Sequence, residues 1–190
     1  DQLICKQEDR LKKLVKKYNQ SPHFHNNKCD KLDSLLGWVP KPNCRTGRHS
    51  INSVGFRGIK EFSLLKKKNR IIFVGDSFTW GEVNRDNETF PYYLDRLFNE
   101  SVEMINMGVH GYGPGQFFLY FMRDGLKYNP DVVVFGLFLP DIHRSMYRFT
   151  EYFKPRFIIK NGNLQLDTTS TPIPDFNSAL RLSTEIRQKN

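Results

Sequence analysis

The chain has 190 residues, of which 38% are hydrophobic and 14% aromatic, and its 29 lysines and arginines against 20 acidic residues give a formal net charge of +9. This length and composition predict one globular domain with a hydrophobic core and exclude a disordered or fibrous chain. No apolar run reaches the roughly 20 residues of a membrane-spanning helix, and the basic charge is not accompanied by zinc-ligand spacing, an RNP-like motif or a helix-turn-helix pattern, so nucleic-acid binding is not predicted.

A basic segment and three cysteines come first. Residues 10–18 (RLKKLVKKY) place apolar residues at helical spacing among cations, a pattern typical of a solvated helix or of a helix that contacts a membrane surface or an anionic partner. Cys5, Cys29 and Cys44 contain no Cys-x-x-Cys pair, so neither a metal nor a redox site is predicted. Both a Cys29–Cys44 disulfide in an exported protein and three free thiols in the cytoplasm are compatible with this count.

Residues 70–75 (RIIFVG) form the next predicted element. The consecutive apolar, largely β-branched residues predict a buried strand of a parallel sheet. Gly75 permits a sharp turn after it, and Asp76 or Ser77 can cap the helix that follows. Ligand sites of open α/β sheets lie at the carboxyl ends of strands, where Ser77 would stand beside free backbone N–H groups. That setting suits an acyl-transfer nucleophile, and a capped helix start without chemistry is the alternative.

A second strand-to-loop transition follows a helical segment predicted at residues 89–99. Residues 102–116 are predicted to run from a strand into a glycine-rich turn, and four glycines between residues 108 and 115 lead into an aromatic-rich segment of helical length at residues 117–128. Such a glycine cluster predicts positive φ angles or a close approach of the backbone to another group. A free N–H in this loop would complete an oxyanion hole beside the serine; an ordinary strand-to-helix loop is the alternative.

A third apolar strand is predicted at residues 131–139. Residues 154–166 then predict two short strands around an Asn-Gly turn. Residues 168–176 form a loop rich in threonine and proline, and residues 178–189 begin an amphipathic helical pattern.

The two glycine-flanked blocks resemble those of the SGNH hydrolases, also called the GDSL-like esterase and lipase family. Residues 75–81 (GDSFTWG) match the first block, with Ser77 at the nucleophile position. Residues 105–111 (INMGVHG) are similar to the second, and Gly111 matches the glycine whose N–H joins the oxyanion hole.

The resemblance extends to the segment ahead of the first block. Residues 37–43 (GWVPKPN) and 52–58 (NSVGFRG) are similar to a lead-in found in one bacterial branch, so that residues 36–174 are covered. The implied fold class is α/β, a three-layer, flavodoxin-like parallel sheet of SGNH type that is incomplete at its C-terminus. Residues 1–50 would be a basic lead-in segment and residues 51–190 the front part of the hydrolase-like domain.

The implied activity is hydrolysis of a carboxylic ester through an acyl-Ser77 intermediate, without metal or cofactor, with the N–H groups of Ser77 and Gly111 holding the oxyanion. The substrate would be a small-molecule or glycan ester, with Trp80, Tyr112 and Phe138 as candidate cleft-lining groups, although core packing is the favoured role of Phe138. Two alternatives stay open: a catalytically silent relative that binds a glycan or acyl chain, and an O-acyltransferase that uses the same serine. We favour a periplasmic, secreted or membrane-anchored location over the cytoplasm.

Two departures from the family pattern bear on this activity. Pro140 occupies the position of an asparagine that donates to the oxyanion, and proline has neither a side-chain amide nor a backbone N–H; the loss of one such donor costs about 3 kcal/mol of transition-state stabilisation. The chain also contains no Asp-x-x-His, the block that supplies the family's base. We expect the catalytic histidine and aspartate beyond Asn190, and we expect His110 and His143 to be polar loop residues rather than substitutes.

Overall fold

The structure, a computed structural model, describes residues 29–148, 150–169 and 171. The basic segment predicted at residues 10–18, Cys5 and the helical pattern at residues 178–189 lie outside the described residues.

The described chain opens with an antiparallel pair of short strands, β1 (Asp30–Asp33) and β2 (Gly37–Pro40). Asp33 closes the turn between them, because its Oδ1 accepts the backbone N–H of Leu36 at 2.8 Å. Leu36 and Trp38 are fully buried. The described part of the lead-in, from residue 29 onward, therefore packs into the interior.

A disulfide between Cys29 and Cys44 joins the residue before β1 to the loop after β2. Of the two states that the cysteine count leaves open for these residues, the structure contains the paired one.

The main sheet has three parallel strands, β3 (Asn69–Gly75), β4 (Val102–Gly108) and β5 (Val132–Gly136), in the order β4-β3-β5. The predicted α/β class is confirmed. The first two strands lie where the sequence predicts them, while β5 ends three residues before the predicted residue 139.

On its outer side, β5 has no neighbouring strand among the described residues. Its Val132, Val134 and Phe135 side chains are 39–48% exposed, unlike the buried side chains at the end of β3.

In the part of the chain that the structure describes, four α-helices accompany the sheet: α1 (Ser77–Trp80), α2 (Phe90–Leu97), α3 (Pro114–Tyr120) and α4 (Leu139–Arg144). Helix α2 confirms the helix predicted at residues 89–99. The aromatic-rich segment is helical as predicted, but it begins earlier, at Pro114, because proline is favoured in a first helical turn. Beyond Tyr120 it widens into a π-type turn and ends as a 3₁₀ turn at residues 126–128.

A second antiparallel hairpin, β6 (Arg156–Lys160) and β7 (Asn163–Asp167), confirms the two predicted strands. Asn161 and Gly162 link them with φ angles of 52° and 75°. Two consecutive positive φ angles define the tight hairpin turn that Asn-Gly favours.

The largest hydrophobic cluster joins the lead-in to the main sheet and to α3. Side chains on both sides of residue 50 contribute to it, among them Trp38, Phe56, Ile72, Met107 and Phe117. In the part of the chain that the structure describes, no helix is long and apolar enough to cross a membrane.

Arg57, which follows the lead-in, connects its own segment to the sheet and to the helix after β3. Its backbone N–H donates to Asn106 of β4 at 3.1 Å. Its buried guanidinium donates to the carbonyl oxygens of Trp80 at 3.2 Å and Asn84 at 3.0 Å, and pairs with Asp86. The carboxyl end of α1 is thus held from both the sheet and the lead-in.

Candidate active site

The carboxyl ends of the three parallel strands carry a row of glycines in register. Gly75 lies opposite Gly108 on one side and Gly136 on the other. A Cβ on Gly108 would stand 2.3 Å from the backbone nitrogen of Trp80, and one on Gly136 would stand 2.3 Å from Thr79 Oγ1. Helix α1 packs directly over this row because the glycines present no side chains.

Ser77 is the first residue of α1, and Asp76 is the N-cap of the helix. Asp76 is fully buried, and its Oδ1 accepts the backbone N–H of Phe78 at 2.9 Å. The Ser77 side chain makes one long hydrogen bond, from Oγ to Asp76 Oδ2 at 3.4 Å. The Ser77 N–H, at the first position of the helix, has no acceptor in residues 29–148, 150–169 and 171. Capping by Asp76 is as the sequence predicts.

Gly111 lies in the loop after β4 with φ at +71°, one of the positive angles predicted for this glycine-rich segment. A Cβ there would stand 2.6 Å from Glu151 Cγ and 3.3 Å from Trp38 Cζ2. The Gly111 carbonyl accepts the Thr150 hydroxyl at 3.1 Å, whereas its N–H has no acceptor within the described part of the chain. Within the described residues, two backbone donors that follow adjacent strands therefore have no acceptor: the N–H of Ser77, at the start of α1, and that of Gly111, in the loop after β4.

A cluster of two buried carboxyl groups and one partly exposed guanidinium lies beside Ser77. Arg144 Nη1 donates to Asp76 Oδ2 at 2.9 Å, to Asp141 Oδ1 at 2.6 Å and to the Tyr112 carbonyl at 3.2 Å. Both carboxyl groups are fully buried, and Asp141 Oδ2 also accepts the N–H of Phe138 at 3.1 Å. Burial and the neighbouring Asp76 raise the pKa of Asp141 to about 6, although Phe138 and Arg144 oppose this shift.

Sequence analysis missed this cluster. The one local signal is the Asp-x-x-Arg spacing of Asp141 and Arg144, which puts the two side chains on one face of α4. Their pairing with Asp76 joins residues that are 68 positions apart.

Pro140 lies in the first turn of α4 and offers no side-chain amide. His143 is exposed on the same helix. His110 Nε2 lies 3.0 Å from Asp30 Oδ1. Burial lowers the pKa of His110, but the hydrogen bond and the charge of Asp30 outweigh this effect and raise it. Neither ring is hydrogen bonded to Ser77.

The predicted cleft-lining groups divide in an unexpected way. Trp80 and Tyr112, at 5% and 0% exposure, are core residues. Phe138, for which a core position is favoured by the sequence, is exposed and packs against the exposed Phe78, with ring centroids 4.6 Å apart. Because Phe78 follows Ser77 directly, this aromatic pair forms an apolar surface next to the serine.

Within the described residues, no three histidine, cysteine or acidic side chains are grouped so that they would hold a metal ion. Comparison of the sequence with models of known protein families gives no match, and comparison with curated proteins gives none either.

Proposed function

We propose that this chain carries the nucleophile and oxyanion hole of an SGNH-type serine esterase. The observation that carries the proposal is the placement of Ser77 at the carboxyl end of the central strand, with the unpaired N–H groups of Ser77 and Gly111 in neighbouring loops. The strand order β4-β3-β5 agrees with the first three strands of a doubly wound sheet, in which the chain crosses from one side of the first strand to the other. Ligands of such sheets bind at this crossing point, and Ser77 and α4 lie there.

In the proposed reaction, the Ser77 oxygen attacks the carbonyl carbon of the ester and forms a C–O bond. The π-electron pair moves onto the carbonyl oxygen, which the N–H groups of Ser77 and Gly111 then stabilise. The hydroxyl proton passes to a histidine outside the described residues, because none of the described histidines, His49, His110 and His143, is hydrogen bonded to Ser77. Collapse of the intermediate breaks the bond to the alcohol, which takes that proton, and water hydrolyses the acyl-serine.

Two features of the site agree with this reaction. Asp76 caps α1 and pairs with Arg144, so it orients the helix and does not serve as the base. The exposed pair of Phe78 and Phe138 offers an apolar surface to the acyl group beside the nucleophile. The alcohol portion, whether a small molecule or a glycan, would extend away from this pair.

A catalytically silent relative that binds a glycan or acyl chain is the second candidate. Pro140 favours it, because an oxyanion donor is missing at that position, and so does the lack of a histidine partner for Ser77 in the described part of the chain. An O-acyltransferase would use the same serine and is separated from an esterase by product analysis with a saccharide acceptor.

Fluorophosphonate labelling, read by intact mass and peptide mapping, tests the proposal. In a protein that contains the histidine base, we expect a covalent adduct on Ser77. We expect none in the Ser77→Ala variant. An adduct on the present 190 residues would mean that these residues already contain a working base. Absence of an adduct both in these residues and in a longer chain with an Asp-x-x-His block would favour the silent relative.

A further inference from the structure

We propose that the guanidinium of Arg144 is a third oxyanion donor for the reaction at Ser77. This inference rests on the proposed function, since it assigns a further catalytic residue to the same site. Asp76 Oδ2 accepts from Arg144 Nη1 at 2.9 Å and from Ser77 Oγ at 3.4 Å. Because the two donors share one acceptor atom, their separation cannot exceed the sum of these two distances.

Arg144 also lies between the two loops that carry the backbone donors. Its Nη1 donates to Asp76, the residue before Ser77, and to the carbonyl of Tyr112, the residue after Gly111. Through Nη1 the guanidinium is therefore hydrogen bonded to the residue before Ser77 and to the residue after Gly111, the two residues whose N–H groups would bind the oxyanion. A single cation in this position acts on the same developing charge as both backbone donors.

Gly113 allows this approach of α4 to the loop. A Cβ at Gly113 would stand 3.0 Å from the Cβ of Arg144. The glycine thus leaves room for the stem of the arginine.

The guanidinium keeps unused donors on its other atoms. All three of its hydrogen bonds are made by Nη1, and neither Nε nor Nη2 donates to an acceptor within the described residues. The Arg144 side chain is 25% exposed, whereas the two carboxyl groups that hold it are fully buried. Backbone N–H groups occupy the second oxygen of each carboxyl, from Phe78 at Asp76 and from Phe138 at Asp141. The cation, not the carboxylates, is the charged group presented toward solvent at this site.

This arrangement supplies a donor on the helix where Pro140 offers none. A guanidinium carries five N–H donors in a fixed plane and is ionised throughout the working pH range. Its two carboxyl partners hold it in place before the reaction, so that it need not reorganise as charge develops on the substrate oxygen. Arg144 would contact that oxygen, while Asp76 and Asp141 would act as positioning residues.

Phenylboronic acid tests the inference without requiring turnover. Its boron accepts an electron pair from Ser77 Oγ, the hydroxyl proton leaves to solvent, and the resulting tetrahedral anion resembles the intermediate. Boron-11 NMR distinguishes this adduct from free trigonal boronic acid, and a titration gives its dissociation constant. For Arg144→Gln we expect the dissociation constant to rise at least about tenfold, since removal of one oxyanion donor reduces rates by roughly a hundredfold or more.

Arg123→Gln is the matched control. Arg123 is also a partly exposed arginine that holds two carboxylates, but these are Asp33 and Asp124 and not the carboxylates beside Ser77. We expect its variant to bind phenylboronic acid within about twofold of the unchanged protein, since surface changes away from a site have small effects. Benzoate is the second control, because it is an anion that forms no bond to Ser77.

The outcomes separate the two proposals. If a folded Arg144→Gln protein bound phenylboronic acid as tightly as the unchanged protein, the role of Arg144 would be overturned and the esterase proposal would stand. The same holds if Arg144→Gln weakened the binding of benzoate but not that of phenylboronic acid. No tetrahedral adduct with an otherwise unchanged protein that contains its base would overturn both. Should Arg144→Gln not fold, Arg144→Lys keeps the charge between the two carboxyl groups but lacks the planar fork; wild-type affinity in that variant would overturn the assignment to the guanidinium.

Discussion

Lys154 is a buried cation that lacks a carboxylate partner in the described part of the chain. Its side chain is 1% exposed, and its Nζ donates one long hydrogen bond, to the Pro155 carbonyl at 3.4 Å. Burial lowers its pKa to about 7, and the charges of Arg156 and Arg144 contribute to the shift. A lysine in this state destabilises the fold whenever it is protonated.

We expect Lys154→Met to stabilise the protein, most strongly in acid. The folded pKa lies below the unfolded value, so the unfolded state binds more protons between about pH 7 and pH 10.5. The wild-type free energy of unfolding should therefore rise with pH across this window, and the advantage of Lys154→Met should shrink from a few kcal/mol at pH 6 toward zero at pH 10. Urea unfolding at several pH values measures both. Lys160→Met, at an exposed lysine of β6, should show no such trend, and a constant difference for Lys154→Met would contradict the prediction.

Individual site residues differ in how well sequence alone predicts them. Ser77 and Gly111 are predicted as site residues because each stands in a short local pattern with glycines after a strand, and their roles stay predictions. The contact of Asp76 with Arg144, and of His110 with Asp30, depends on which strands are neighbours and spans 68 and 80 positions respectively. No local period or spacing records that adjacency, so these partners became visible only in the folded chain.

At the scale of elements, the packing of α1 against the sheet positions Ser77. The helix has four residues, too few to be stable by itself. Contact with the glycine row, the cap from Asp76 and the hydrogen bonds from Arg57 hold it in place. A side chain at the row would push the helix, and Ser77 with it, away from the oxyanion donors.

We expect Gly108→Ala to lower the free energy of unfolding by about 3 kcal/mol, at the upper end of overpacking effects. The new Cβ would stand 2.3 Å from the Trp80 nitrogen and 2.6 Å from the Thr79 carbonyl carbon, both backbone atoms that cannot rotate away. Gly47→Ala is the control, because a Cβ there meets nothing within 4 Å; it should change stability by less than about 0.5 kcal/mol. Denaturant unfolding compares the two variants, and equal stabilities would show that α1 is not seated as described.

Element type was predictable where one local rule dominates. A run of largely β-branched residues predicted β3, and the Asn-Gly pair predicted the β6–β7 hairpin. The early end of β5 and the π-type turn at residues 121–125 were not predicted. At Gly125 a Cβ would come 2.5 Å from the Phe121 ring and 3.1 Å from Met107 Sδ. Tertiary packing of this kind overrides helical periodicity and leaves no pattern in the sequence.

For the whole molecule, the lead-in is part of the site's support. Trp38 of β2 is fully buried against the Gly111 loop, with its Cζ2 at 3.3 Å from the position of a Gly111 Cβ. The strand that carries Trp38 lies inside the loop closed by the Cys29–Cys44 disulfide. The geometry of the second backbone donor thus depends on Trp38, which lies 73 positions earlier in the chain.

We therefore expect loss of the Cys29–Cys44 disulfide to affect both stability and the site. The bond closes a loop of 15 residues, for which restriction of the unfolded chain corresponds to about 3 kcal/mol. The free energy of unfolding of the double variant Cys29→Ser/Cys44→Ser should be lower by about 3 kcal/mol. Under conditions in which Ser77 of the unchanged protein reacts with fluorophosphonate, Ser77 of the double variant should react more slowly. Cys5→Ser controls for the loss of a thiol, and reduction of the unchanged protein should reproduce the double variant. If the double variant were as stable as the parent but its Ser77 were labelled more slowly, the disulfide would act on the Gly111 loop alone. If neither stability nor labelling changed, core packing would hold Trp38 in place without the disulfide.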